Sequence, residues 1–155
     1  MSSGTDRAQV EAFYLALCKQ DYDAIESMLD DNVEWSFSGP VEALPFCGTY
    51  HGKKQVRHVL EHKIAETLGK RTIVADMFLV DAGRGALLGR LIGKLPNGQT
   101  ISYRIAQFFK MQGGKVREHR TVLDTFDAVE QVTGRRIPLA PSQPRDQAED
   151  SVYPV

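Results

Sequence analysis

Charge of one sign is missing from this sequence. Its 19 lysines and arginines balance 20 aspartates and glutamates, for a formal net charge of −1. Such a balance gives no electrostatic footing for nucleic acid or an anionic membrane surface. The basic clusters GKKQVR and GRRIP are short and read as solvated faces or helix ends. Cysteine is scarce too: Cys18 and Cys47 are the only two, too few for a disulfide framework or a ligand cluster. Both read as reduced, packed thiols, with Cys47 also able to face a pocket. No apolar run is long enough to span a bilayer. The opening MSSGTDRAQ lacks the apolar core of a signal peptide, so the expected compartment is the cytoplasm.

What is present is ordinary for a globular protein. The chain has 155 residues, 42% hydrophobic and 25% charged, enough for one domain with a real core. Over residues 6–18, Val10, Phe13, Tyr14, Leu17 and Cys18 recur at intervals of three and four, which predicts a helix with one buried stripe. A short helix is expected over 22–29, capped by Asp21 and ended by Asp31–Asn32. Val33 to Phe37 alternates as a brief strand, and an irregular connection follows to Gly52. Helix returns over 53–68, with Gly69 as its terminator.

From Arg71 the period shortens to two. Strands are expected over 71–81, 86–95, 100–111 and 116–123, joined by turns that include Pro96–Asn97–Gly98. Asp124 then caps a last short helix. Strands joined by turns rather than crossovers disfavour a parallel βαβ sheet. The element order fits an α+β fold, a strongly curved and mainly antiparallel sheet wrapped around helices. The folded domain is expected over 1–136. Residues 137–155 hold four of the seven prolines and read as an extended or disordered tail, whose Tyr153 and Val155 can dock on a partner subunit.

The stretch DNVEWSFSGPVEALPFCGTYHG concentrates aromatics where the chain is least regular. It holds Trp35, the only tryptophan, with Phe37, Phe46 and Tyr50. Either these side chains plug a core or they line a pocket, and their density favours a pocket. Tyr103, Ile105, Gln107 and Phe109 share one strand face, so Tyr103 and Gln107 can point into one cavity as phenol and amide hydrogen-bonding groups. An interface is the alternative use of that face. Arg90 interrupts an apolar run, either as a snorkelling surface residue or as a pocket cation. His119, in the polar run REHRT, has the residue type of a general base near neutral pH but also fits a surface or interface position. Asp124 is explained by its cap and is a weaker catalytic candidate. His58 and His62 have metal-ligand spacing, yet HVLEH is not a zinc-peptidase pattern and no third ligand is signalled.

With DYDAIESMLDDNVEW, GTYHGKKQVRHVL and FFKMQGGKVREHRTVLDTFDAV in view, the chain from about residue 8 to 133 resembles the nuclear transport factor 2-like superfamily. More narrowly, it looks like the branch containing steroid delta-isomerase, SnoaL-type polyketide cyclases and limonene epoxide hydrolase. The resemblance implies a conical, cystatin-like α+β barrel around a deep apolar pocket, commonly dimeric. It also implies small hydrophobic ligands and no metal or organic cofactor. Trp35 stands at the place of the isomerase base, and Phe13 at that of its phenolic donor, with Tyr14 one step off. Tyr103 stands near the second oxyanion donor. The hydrolase's Asp–Arg–Asp set falls at Arg90, Leu88 and Thr121. Neither of those two mechanisms is therefore reproduced.

The expectation from sequence is a protein that binds a small hydrophobic carbonyl compound and isomerises or cyclises it through an enol. His119, or less readily Asp124, would accept the proton, and Tyr103 and Arg90 would stabilise the oxygen. Tyr14, Trp35, Phe37, Phe46, Tyr50 and Gln107 would hold the ligand. The alternative is a non-catalytic binding or oligomeric interaction module. A homodimer is expected, with neither nucleic acid nor membrane as a partner.

Overall fold

The computed structural model describes residues 3–141. Helix α1 (Ser3–Lys19) buries Val10, Phe13 and Ala16 on one stripe. It ends at Gln20, whose backbone turns to φ +54 and whose side-chain amide donates to the Arg71 carbonyl at 2.6 Å. Asp21 then caps α2 (Tyr22–Met28) by accepting from the Ala24 N–H at 3.1 Å, as its position before the helix implies.

Strand β1 (Leu29–Phe37) starts four residues earlier than the alternation at Val33 suggests. A turn-type bond is present, but it is made by Asp30 and not by Asp31 as expected: Asp30 Oδ1 accepts from Asn32 N at 2.8 Å. It falls within an irregularity in the pairing of β1 with β6, between Leu29 and Glu34, and bends the strand instead of ending the helix. Strand β2 (Gly48–His51) lies in the stretch expected to be irregular. Too short and polar to show a period, it exists because it pairs antiparallel with β1, Trp35 opposite Tyr50.

The third helical segment is one rod over the expected span. It runs through α3 (Lys53–His58), a π-helical turn (Val59–Lys63) and α4 (Ile64–Leu68). Gly69 follows at φ +66, a conformation suited to glycine. Strands β3 (Lys70–Asp81), β4 (Arg84–Lys94), β5 (Thr100–Gln112) and β6 (Lys115–Leu123) form the meander, and α5 (Thr125–Thr133) closes the described fold. Residues 137–141 carry no helix or strand. The remainder of the proline-rich tail, including Tyr153 and Val155, lies outside the described residues.

The six strands form one sheet in the order β2-β1-β6-β5-β4-β3. Only the β1–β6 pair is parallel. The sheet is curved but not closed, so this is an α+β fold with its main core between the helices and the concave face. Gly89 lies beside the irregularity of β3 between Ala75 and Met77. A Cβ there would stand 2.2 Å from the Val74 carbonyl oxygen, so only glycine lets the two backbones approach this closely. The inner face of β5 carries Ile101, Tyr103, Ile105, Gln107 and Phe109, all buried. None of the helices among the described residues is long and apolar enough to cross a membrane.

Candidate functional site

Between the helices and the concave face lies a cavity of about 60 Å³. The helices contribute Leu17, Leu60, Ile64 and Leu68 to its wall, and the sheet contributes Ile73, Leu91, Ile105 and Leu123. Trp35 and Phe37 on β1, with Phe46 from the following loop, complete the apolar lining. Most of these side chains are buried, whereas Leu17, Arg71 and Ile73 are half-buried and mark the mouth. The void lies well below the ~300–1,000 Å³ typical of small-molecule sites. A ligand of more than a few heavy atoms must therefore displace lining side chains as it enters.

Four polar side chains share this wall: Arg71, Tyr103, Gln107 and Thr121. Cross-strand register ranks them along the inner face. Tyr103 lies opposite Leu91, which pairs with Ile73 near the mouth; deeper, Gln107 lies opposite Thr121, and Thr121 opposite Phe37. The indole Nε1 of Trp35, Oε1 of Gln107 and Oγ1 of Thr121 are buried without a hydrogen-bond partner. Burial pushes the Tyr103 phenol well above its ordinary pKa, and the nearby Cys47 thiol adds to the shift while the Arg71 charge opposes it. Tyr103 therefore stays protonated, and its hydroxyl keeps a proton to donate. Burial likewise pushes the Cys47 thiol up to about 11, leaving it an unreactive packed group.

Arg71 was not among the residues expected at the site. Its guanidinium donates to the Leu60 carbonyl at 2.9 Å and to that of Gly69 at 3.5 Å. Leu60 belongs to the π-helical turn, so an irregular turn of helix both lines the cavity and holds its cation. The signal available in sequence was parity: Arg71 shares a strand face with Ile73. Thr121 was noted only as a position where the epoxide hydrolase carries an acid.

Several expected roles meet a different geometry. Arg90 is on the outer face with Leu88 and Ile92, where its Nε donates to Ser102 Oγ at 3.1 Å. Strand alternation puts it opposite to Leu91, which lines the cavity. Asp124 is exposed and caps α5, accepting from the Asp127 N–H at 3.3 Å. Tyr14 stacks on Phe78 with ring centroids 5.5 Å apart and donates to the Ile73 carbonyl at 3.4 Å, outside the lining. Tyr50 donates to the Phe46 carbonyl at 2.9 Å and braces the loop from outside the cavity. Trp35, Phe37, Phe46, Tyr103 and Gln107 lie together in the wall.

His119 is the largest departure. It is fully buried, not at a surface, and stacks on Trp35 with centroids 3.7 Å apart at an interplanar angle of 12°. Phe109 and Phe13 complete its ring contacts at 4.8 and 6.1 Å. The indole lines the cavity; the imidazole behind it does not. Neither ring nitrogen has a hydrogen-bond partner, and burial holds the pKa well below its ordinary value. Sealed among aromatics behind the indole, the imidazole is not among the residues that line the cavity.

Comparison with known proteins agrees with this architecture. A candidate isomerase from Rhodopseudomonas palustris is 31% identical, with 81% of this chain and 93% of that one covered and a TM-score of 0.68. An NTF2-like protein of unknown function from Burkholderia pseudomallei is 18% identical, covers 83% and 97%, and gives a TM-score of 0.75. TerC, crystallised with polyporic acid, is 20% identical over 83% and 98% at a TM-score of 0.74. The last two likenesses speak to the fold alone. No curated protein matches the chain. The SnoaL-like domain family matches residues 10–119, more than half of the sequence, and the chain belongs to that family, within the NTF2-like fold.

Proposed function

We propose that the protein binds a compact hydrophobic molecule carrying an oxygen function, held in the cavity by hydrogen bonds from its wall. The supporting observation is the set of buried, unpartnered polar atoms on Trp35, Gln107 and Thr121 around one apolar void. Each such atom costs about 1–3 kcal/mol when left unsatisfied, and a ligand oxygen accepting from the indole and hydroxyl would relieve that cost. Binding is favoured over enolisation because no carboxylate and no histidine is among the lining residues. A carbonyl ligand would be polarised by donors but would meet no base from the wall.

Native mass spectrometry of gently purified protein tests this reading, with a retained small molecule as the expected result. Loss of that molecule in a Gln107→Leu/Thr121→Val double variant would tie it to the wall; undiminished retention would move the site elsewhere. Proton–deuterium exchange at the α-carbon of a bound ketone, followed by NMR, separates binding from isomerase- or cyclase-like chemistry. Protein-catalysed exchange would restore the enzymatic reading.

A homodimer through the outer sheet face is part of the same proposal. Met77, Leu79, Leu88, Phe108 and Val122 are each roughly half exposed there. Met77 pairs with Leu88, Leu88 with Ala106, and Ala106 with Val122, giving a continuous apolar band. Patches of that kind mark interaction surfaces. Sedimentation should report a dimer that Phe108→Arg converts to monomer; a monomeric wild type would refute it.

A further inference from the structure

The mouth and the floor of the cavity differ in chemistry. At the floor the polar groups are neutral: an indole, an amide and a hydroxyl. At the mouth stands a full charge. None of the ion pairs among the described residues involves Arg71. By contrast Arg57, also half-buried, contacts Asp23, Glu26 and Glu61 at 2.6 to 3.0 Å. Arg71 is instead tethered by two backbone carbonyls, which fix the plane of its guanidinium without neutralising it. A guanidinium has five N–H donors, so this tether leaves donors to spare.

Leu91, Ile105 and Leu123 lie between that cation and the neutral floor. The wall is thus charged at the entrance, apolar through the middle and neutral-polar at the end. We propose that Arg71 makes the mouth a receptor for the carboxylate of a compact aliphatic or aromatic acid, whose apolar body lies along the leucine and isoleucine wall. The inference rests on the cavity-binding reading above and narrows its ligand class to monocarboxylates. The planar fork of arginine matches the two oxygens of a carboxylate. Tyr103, protonated and one row inward, can add a further donor. Apolar surroundings strengthen the charge pairing relative to water, and a small neutral acceptor gains no comparable term.

The test uses the intact protein and Trp35, the only tryptophan, as a fluorescent reporter in the cavity wall. Hexanoate and hexanamide, which differ in charge but hardly in shape, are titrated at pH 7.5 and low salt. Hexanoate is expected to bind at least about tenfold more tightly than the amide, a ratio that arises where a single charge pair is partly shielded from water. Arg71→Met should bring the ratio to near one while amide binding persists. Arg71→Lys, which keeps the charge without the fork, should retain a reduced preference. Arg90→Met, on the opposite face, should leave the ratio unchanged. Equal affinity in the wild type overturns the carboxylate assignment, as does a preference that survives Arg71→Met or vanishes in Arg90→Met. Amide binding without acid preference defeats this inference and leaves cavity binding standing. Failure of both probes to bind counts against both.

Discussion

The two ends of the concave face are built from one sheet and do opposite things. At the closed end Phe13, Trp35, Phe109 and His119 are no more than 3% exposed and pack ring against ring. At the open end Leu17, Arg71 and Ile73 stay half-buried around the void. A titratable residue at the closed end is held neutral, and a charged one at the open end keeps its charge. What separates them is access to solvent. Contact with the void, more than residue type, decides which polar side chain can meet a ligand.

Truncation should expose this contrast most strongly. Phe13→Ala would empty space among three aromatic rings, those of Trp35, Phe109 and His119, and is expected to cost about 3–5 kcal/mol. Leu17→Ala, at the mouth, removes a side chain that already faces a void and should cost roughly 1 kcal/mol. Urea denaturation of both variants gives the comparison directly. Equal losses would mean that the mouth is as tightly packed as the floor.

Between pH 7.5 and 5.5, acid should then act at the closed end. With the folded-state pKa of His119 depressed by burial, the unfolded chain binds a proton first, as pH falls through about 6.5. Stability is therefore unaffected by this residue above that pH and declines below it by up to about 1.4 kcal/mol per pH unit, until the folded pKa is reached. Unfolding measured between pH 7.5 and 5.5 should show this slope, and His119→Phe should flatten it, since the other three histidines, His51, His58 and His62, are exposed. An unchanged slope in that variant would assign the acid sensitivity to other groups.

Much of the architecture was legible because helix and strand periods are local. The helix over 53–68, the meander and the caps at Asp21 and Asp124 all follow from spacing and turn chemistry. The four-residue β2 and the early start of β1 were not, because each is fixed by pairing with a distant strand. The site was legible by parity within a strand: Tyr103 and Gln107 face inward with Ile105, and Arg90 must face away from Leu91. Depth was not legible. His119 and Thr121 share a face of β6, yet one is walled off by an indole and the other lines the void. Arg71 also escaped, since its place at the mouth depends on a π-helical turn with no local signature.

The smallest expected effect also sharpens the contrast between stability and binding. Thr121 Oγ1 is buried beside the void with no partner, so its hydroxyl weakens the empty protein. Thr121→Val keeps the branched shape and removes the unsatisfied oxygen, which should stabilise the fold by about 1 kcal/mol. If the hydroxyl is there to meet a ligand, the same change should weaken retention of the molecule found by native mass spectrometry. A variant that is both more stable and a poorer binder would mark Thr121 as part of the floor of a site. One that loses stability would mean that the hydroxyl already has a partner in solution, such as a water within the cavity, and the unpartnered set at the floor would then shrink to the Trp35 donor and the Gln107 acceptor.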